Sequence, residues 1–351
     1  MAERLYLDHA ATTPMRPEAI AAAAEGMARW ANPSSPHAEG RAARRLLEDA
    51  RARIAATLGW RHEVILTSGA SEAIALALGR AKGVRIAVSP TEHDAVLRAA
   101  GDAERLAVDA AGQVSLPAPT GEPRLFAIQG ANSETGVLQP LDALAQEIRG
   151  GGDLLFADCA QSAGKLPLPD ADLIAVSAHK LGGPPGIGAL LVRDFAVLEP
   201  VGGQEQGYRG GTENLPGVLG FAAALEAPRD WLEHAAEWRA MLDAAVLAEG
   251  GKVVAGTTPR IATIAAYRMP GVASAAQLIR FDGSGIAVSA GSACSSGSLK
   301  PSHVLGAMGW DAQAAREVVR VSFGWNTRGE DVRRFADAWT AIAREARARA
   351  A

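Results

Sequence analysis

The sequence contains very little cysteine: Cys159 and Cys294 are the only two in 351 residues. They lie far apart and neither belongs to a CxxC pair, which excludes a disulfide framework and argues against a cysteine-based zinc site. Aromatic residues make up 5% of the chain, and no apolar run approaches the roughly 18 residues of a membrane-spanning helix. We therefore expect no metal centre and no membrane association.

The chain also lacks a strong excess of charge of one sign. A net charge of -4 gives no bulk attraction to nucleic acid or to an anionic membrane surface. Its first residues include Glu3 and Asp8 and form no apolar run, which is not typical of a signal peptide. We expect a cytoplasmic protein whose partners do not include nucleic acid.

Short apolar runs alternate with helix-periodic segments over the first two thirds of the chain, and this pattern is typical of an α/β domain with a mostly parallel sheet. The predicted buried strands are Val64–Leu66, Val84–Val88, Leu125–Ile128, Leu154–Ala157, Leu173–Val176 and Ile187–Val192. Ligands of such sheets collect at the carboxyl ends of the strands. The polar residues of interest follow these runs.

The pattern changes after about residue 229. A long predicted helix over Trp231–Leu247 leads to shorter elements and to a final helix from about Glu330. We expect a large domain over residues 14–230. A smaller α+β domain would consist of residues 231–351 together with residues 1–13, which are too short to fold alone.

Lys180 stands between a predicted buried strand and the glycine-rich segment Gly182–Gly188. A lysine whose amine is partly buried can form a Schiff base with an aldehyde cofactor, although it could also simply reach solvent. Asp158 follows the previous strand directly. Its carboxylate could pair with the ring nitrogen of pyridoxal phosphate, or it could cap a helix.

Two further strand ends carry candidate cofactor ligands. The segment Thr67–Glu72 places small residues at the start of a helix, where free backbone N–H groups favour a phosphate; the same residues could serve only as a cap. His93 follows another predicted strand. It could stack on a flat ring, or it could cap a helix or face solvent.

Cys294 lies among small residues in Ser289–Ser298, where a thiol can meet solvent and react. Cys159, beside Asp158, is more simply explained as a small packed residue. Arg320 is a lone arginine in an apolar strand pattern. It could bind the carboxylate of an amino acid bidentately, or it could form an internal ion pair.

Taken together, these segments resemble the cysteine desulfurases of the NifS/IscS type, within the class V aminotransferase superfamily. The resemblance runs nearly from end to end. The motifs that carry it are Tyr6–Pro14, Asn32–His37, Thr67–Glu72, Thr91–His93, Asp158–Gln161, Ser177–Lys180, Arg209–Asn214 and the cysteine segment continuing to Leu305. The resemblance implies the fold type I architecture, with a mostly parallel seven-stranded sheet in the large domain, and pyridoxal 5'-phosphate as cofactor.

The resemblance also implies a role for each site residue. Lys180 would bond the cofactor, Asp158 would pair with its ring nitrogen and His93 would stack on the ring. The phosphate would be held by Ala70, Ser71, Ser177 and His179. Gln161 would approach the phenolic oxygen, as would Ser133, which stands where the family usually has a second asparagine after Asn132.

Three remaining roles concern the substrate and the partners. Arg320 and Asn132 would bind L-cysteine, and Cys294 would take its sulfur as a persulfide while L-alanine is released. Thr212 would reach the cofactor phosphate of a second subunit, which implies a homodimer. A sulfur-acceptor protein, such as an iron-sulfur scaffold, would then collect the sulfur for cluster or thio-cofactor biosynthesis.

Two other functions stay open at this point. The first is another class V enzyme, such as a selenocysteine lyase or an aminotransferase; Cys294 argues against an aminotransferase, which needs no nucleophile there. The second is a weakly catalytic paralogue that serves as a scaffold, for which Ser133 and a shortened segment between His93 and Asn132 are the only support. The joint presence of Lys180, Asp158 and Cys294 argues against it.

Overall fold

The computed structural model describes residues 4–291 and 301–350. Within these ranges, no helix is long and apolar enough to cross a membrane. The predicted nucleophile Cys294 lies outside the described residues.

The strands are short, and most of the longer ones are buried along their whole length. In chain order they are β1 (Leu5–Tyr6), β2 (Glu63–Thr67), β3 (Arg85–Val88), β4 (Glu104–Arg105), β5 (Ala107–Val108), β6 (Val114–Ser115), β7 (Arg124–Gln129), β8 (Leu154–Asp158), β9 (Leu173–Ser177), β10 (Gly188–Val192), β11 (Lys252–Val253), β12 (Ile264–Arg268), β13 (Ile286–Ala287) and β14 (Val318–Ser322). The apolar runs read from the sequence correspond to β2, β3, β7, β8, β9 and β10, each within about two residues.

Helices occupy most of the segments between the strands. In chain order they are α1 (Pro17–Ala28), α2 (Ala38–Leu58), α3 (Ala70–Gly79), α4 (Asp94–Ala100), α5 (Leu141–Gly150), α6 (Leu215–Glu226), α7 (Trp231–Ala248), α8 (Ser274–Gly283), α9 (His303–Ala307), α10 (Ala312–Ala315) and α11 (Gly329–Ala350). The predicted long helix corresponds to α7 and the predicted final helix to α11.

Seven strands form the large sheet in the order β2-β10-β9-β8-β7-β3-β4. Strand β10 runs antiparallel to both of its neighbours, and the other pairs are parallel. Apolar clusters cover both faces of the sheet, which is why its central strands are apolar throughout instead of alternating. The predicted α/β fold with a mostly parallel seven-stranded sheet is confirmed.

A second core lies around the sheet β11-β12-β14, under α7, α8 and α11. Its largest fully buried side chains include Trp339, Tyr267 and Phe335. The N-terminal strand β1 pairs with β13, and Leu5 and Leu7 pack into this same core. These two separate cores support our proposal that residues 14–230 form one domain and that residues 1–13 join 231–351 in the other.

Candidate active site

A cavity of about 400 Å³ opens at the carboxyl ends of the central strands of the large sheet. It is lined by residues that follow β2, β7, β8 and β9, together with Ala11 from the N-terminal segment. Most of the predicted site residues lie on its wall. These are Ala70, Ser71, His93, Ser133, Asp158, Gln161, Ser177, His179 and Lys180.

Lys180 ends a short 3-10 turn, Ala178–Lys180, directly after β9. The turn is tight because the backbone N–H of Gly183 donates to the carbonyl of Ala178 at 2.9 Å, and a Cβ on Gly183 would lie 2.8 Å from the Ala178 Cβ. The Lys180 Nζ donates to the carbonyls of Ala10 at 2.7 Å and Ala11 at 2.8 Å. The N-terminal segment thus holds this amine at the cavity wall.

Asp158 is the last residue of β8 and is 7% exposed. Burial raises the pKa of its carboxyl, while the N–H of Ala160, 2.9 Å from Oδ1, and the nearby His93 and Lys180 act in the opposite direction. The hydrogen bond from Ala160 lies within a turn, because the described residues between β8 and β9 form no helix, so the helix-cap alternative for Asp158 is wrong. The residue faces the cavity, and its pairing with a ring nitrogen stays a prediction. A buried carboxyl of this kind is stabilised by a cationic partner such as a protonated ring nitrogen.

The start of α3 forms one end of the cavity. Its N-cap residue is Gly69, at φ +150°, so no side chain caps this turn from that position. A Cβ on the neighbouring Gly188 would lie 2.7 Å from the Gly69 Cα, which requires glycine at position 188. Backbone N–H groups at the start of Ala70–Gly79 therefore lie next to the predicted phosphate ligands Ala70 and Ser71.

His179 lies on the same wall, with Nδ1 3.1 Å from the Thr12 Oγ1. Burial, aided by the charge of Lys180, lowers its pKa to about 4. The imidazole is therefore neutral at physiological pH and can donate a hydrogen bond without adding a charge.

His93 is the N-cap of α4 and accepts a hydrogen bond from the Ala95 N–H at 3.1 Å through Nδ1. Its ring also lines the main cavity. The capping role and the predicted position beside the cofactor ring are therefore compatible, because a capping nitrogen leaves the ring face available.

Glu92 and Gln129 are site residues that the sequence analysis missed. Glu92 is fully buried, and its Oε1 accepts the Gln129 N–H at 2.7 Å. Burial and the nearby Asp158 raise the pKa of Glu92 well above its ordinary value. Gln129 ends β7 and lines the cavity. In the sequence, the feature that points to Glu92 is an acidic residue beside His93 and shortly after a predicted strand. Burial at such a position favours the neutral form of a carboxyl.

Arg320 and Asn132 do not line this cavity. The Arg320 guanidinium is paired with Asp8, Nη2 to Oδ1 at 2.7 Å, and Nη1 donates to the Ser133 carbonyl at 2.9 Å. Asn132 is buried, and its Oδ1 accepts the N–H groups of Glu134 and Thr135 at 3.0 and 2.8 Å. The internal ion pair expected as one alternative for Arg320 is present, and Asn132 holds the turn that carries Ser133.

A smaller cavity of about 20 Å³ adjoins the site. It shares His93 and Ser133 with the main cavity and is also lined by Arg320, His303 and Gly291. Gly291 is the last described residue before the segment that contains Cys294. Arg320 thus lines the same small cavity as His93 and Ser133, two of the predicted cofactor ligands.

Thr212 and Cys159 lie outside the main cavity. Thr212 is exposed and does not line the cavity of its own chain. Cys159 is fully buried, and burial raises the pKa of its thiol to about 12, as expected of a packed and unreactive cysteine. In the part of the chain that the structure describes, no group of three His, Cys, Asp or Glu side chains could hold a metal ion.

Comparison with known proteins places this geometry in a family. The model of the family "Aminotransferase class-V" matches residues 5–335. A cysteine desulfurase of Frankia sp. (strain EuIK1) is 37% identical, over 95% of this chain and 90% of that protein. An IscS-like cysteine desulfurase of Mycobacterium tuberculosis is also 37% identical, over 93% of each chain.

The fold comparison agrees with the sequence comparison. A NifS-like protein from Rickettsia africae has a TM-score of 0.87 and 26% identity to this chain, over 97% of this chain and 99% of that one. The chain therefore belongs to the aminotransferase class-V family and, within it, to the cysteine desulfurases.

Proposed function

We propose that this protein is a pyridoxal-phosphate enzyme that converts L-cysteine into L-alanine and keeps the sulfur as a persulfide on Cys294. The observation that carries the proposal is the 400 Å³ cavity, which combines Lys180, Asp158 and the uncapped start of α3 on one wall. Asp158 would pair with the ring nitrogen of this cofactor, Lys180 would bond its aldehyde carbon, and the start of α3 would bind its phosphate.

The cavity residues fit the cofactor on structural grounds. Asp158 is a buried carboxyl that faces the cavity, and burial raises its pKa although the charges of His93 and Lys180 lower it. A protonated ring nitrogen would place a further cation against this carboxyl. The Gln161 Oε1 is buried and lacks a described hydrogen-bond partner, while its Nε2 donates to the Ala10 carbonyl at 2.9 Å. Ala70, Ser71, Ser177 and His179 would surround the phosphate. When bound, the cofactor supplies an electron sink for the carbanion formed at the substrate Cα.

The chain's own residues would perform the proton transfers. We assign the Cα proton to the Lys180 amine, because Lys180 lies on the cavity wall and is held there by the backbone of the N-terminal segment. Arg320 would bind the substrate carboxylate, for which it must exchange or share its contact with Asp8. Ser133 would face the phenolic oxygen of the cofactor.

In the sulfur transfer that we assign to Cys294, its thiolate attacks the sulfur of the substrate, a sulfur–sulfur bond forms and the Cβ–S bond breaks. The electron pair of the broken bond stays with the carbon, which gains protons and leaves as alanine. Gly291 lines the small cavity beside Arg320, which supports delivery of the Cys294 segment to this side of the site.

The partners and the compartment belong to the same proposal. We propose a cytoplasmic homodimer in which Thr212, exposed on its own chain, contacts the cofactor phosphate of the second subunit. A sulfur-acceptor protein, such as an iron-sulfur scaffold, would remove the sulfur from Cys294. The persulfide is the common intermediate for cluster assembly and for thio-cofactor biosynthesis.

A spectrum and a product assay on the purified protein test the proposal. We expect a visible absorption band from the lysine-bound cofactor, and equal amounts of alanine and transferable sulfur from L-cysteine. A protein that binds the cofactor yet forms alanine only from selenocysteine would instead be a selenocysteine lyase. A protein that binds no cofactor would contradict the proposal.

A further inference from the structure

Another cavity of about 20 Å³ has Lys180 on its wall and is lined by residues of both proposed domains. Its lining includes Arg16, Lys165, Lys180 and Arg229, together with Trp231 from the start of α7. None of its described lining residues is an aspartate or a glutamate. The described lining therefore offers several hydrogen-bond donors, from cationic side chains and an indole N–H, and no carboxylate that could accept from them.

Two of these donors are buried and lack a partner. The Nε of Arg16 and the Nε1 of Trp231 make no hydrogen bond to any described residue. Arg16 is 6% exposed, and its guanidinium lies 5.6 Å from the centre of the Trp325 ring. Buried polar groups in native proteins are almost always hydrogen-bonded. Two unpartnered donors on one cavity indicate an acceptor that occupies it.

Positive groups predominate among the described residues that line this cavity. Burial lowers the pKa of Arg16, Glu18 raises it, and Arg229 lowers it. Burial and the adjacent Lys180 lower the pKa of Lys165 to about 7. Lys165 also contributes, after burial, to lowering the pKa of His9 to about 3. Cations that disfavour one another's charged forms create a positive potential that an anion would neutralise.

Backbone contacts position two of these cations, Arg16 and Arg229. The Arg16 N–H donates to the Gly182 carbonyl at 2.8 Å, and Gly182, at φ +90°, approaches the Arg16 side chain so closely that a Cβ would lie 2.8 Å from its Cγ. Arg229 Nη1 donates to the Gly164 carbonyl at 2.8 Å. Backbone contacts therefore position two of the four cationic residues at this cavity.

We propose that this cavity binds a monoatomic monovalent anion such as chloride, held by Arg16, Lys165 and the Trp231 indole. A volume of about 20 Å³ matches one particle of about the size of water, so a monoatomic ion fits this cavity better than sulfate or a phosphate ester. Lys165 and Arg229 also line an open surface depression, which gives the ion a route from solvent. The bound ion joins the loop before α1 to the start of α7 and lies next to Lys180.

Crystals of the cofactor-loaded protein grown in bromide test the site directly. We expect an anomalous peak in the cavity beside Arg16 and the Trp231 Nε1. A peak-free cavity that holds water alone in bromide would overturn the proposal. This measurement uses the unaltered protein and does not depend on a variant that folds.

Thermal unfolding at constant ionic strength gives an independent test. Replacing gluconate, which is too large for the cavity, by chloride should raise the melting temperature by roughly 3 °C with a saturating dependence on concentration. Lys165→Met should abolish this increment, and the control Lys82→Met, at an exposed lysine, should retain it. Identical melting curves of the unaltered protein in chloride and gluconate would contradict the proposal.

Discussion

The guanidinium of Arg320 is paired with the carboxylate of Asp8, with Nη2 and Oδ1 2.7 Å apart. The two residues are 312 positions apart in the chain, and Arg320 is 3% exposed while the Asp8 side chain is 21% exposed. Arg320 Nη1 also donates to the carbonyl of Ser133, a cavity-lining residue. The ion pair therefore connects the N-terminal segment, the small domain and the wall of the candidate active site.

Arg320→Ala tests whether this arginine binds the substrate. We expect the KM for L-cysteine to rise by more than tenfold, because a bidentate contact with the carboxylate is lost. Cofactor occupancy, measured by absorbance, should change little. The exposed Arg316→Ala is the matched control and should leave both quantities unchanged. Equal losses of cofactor and of cysteine binding would make Arg320 a purely structural residue.

Lys180→Ala tests the attachment of the cofactor. The variant should lose the visible band of the lysine-bound cofactor and form no alanine, because no other described lysine lines the main cavity. The control Lys82→Ala changes an exposed lysine and should keep the band. If the band persists in Lys180→Ala, another lysine bonds the cofactor.

Ser133→Asn restores the residue type that the family usually has at this position. Serine reaches less far than asparagine and can contact the phenolic oxygen through water, which is nearly as good as a direct hydrogen bond. We expect kcat to rise by at most about tenfold, the factor that corresponds to one hydrogen bond. A variant without activity would show that the pocket has adapted to serine, since the Ser133 carbonyl also accepts from Arg320.

Lys165 should make stability depend on pH in the alkaline range. Its ordinary pKa of 10.5 falls to about 7 in the folded protein, through burial and the nearby Lys180. Between these two pKa values the unfolded chain binds the proton more tightly than the folded chain, so the free energy of unfolding rises with pH. Below about pH 7 both states carry the charged lysine, and the full cost of burying that charge destabilises the folded protein.

Denaturant unfolding from pH 6 to 10 in chloride-free buffer measures this contribution. As the pH rises, the free energy of unfolding of the unaltered protein should increase relative to that of Lys165→Met. The side chain is only partly shielded from solvent, which reduces the size of the effect. A difference that does not vary with pH would show that the lysine stays charged throughout.

Much of the fold could be predicted from the sequence because the strands of the large sheet are buried on both faces. Runs such as Leu154–Ala157 and Leu173–Val176 are therefore continuous and apolar. Asp158 follows the first run and Lys180 lies shortly after the second, and both line the cavity as expected. The bounds of α7 were also predicted closely, since the predicted helix Trp231–Leu247 ends one residue before the observed Trp231–Ala248.

Long-range partners could not be predicted in the same way. The contact of Arg320 with Asp8 and the hydrogen bonds of Lys180 to Ala10 and Ala11 depend on how the N-terminal segment crosses the sheet ends. The burial of Glu92 likewise results from packing between elements. Local spacing carries no information on such distances, and for this reason the sequence left the alternatives for Arg320 open.

Mass spectrometry of the protein after brief exposure to L-cysteine tests the central claim most directly. We predict one added sulfur atom on the peptide that contains Cys294, and its loss in Cys294→Ser. The control Cys159→Ala should retain it, because the Cys159 thiol is fully buried with a pKa of about 12. Added sulfur on Cys159 alone, or alanine formation with no sulfur on Cys294, would contradict the account.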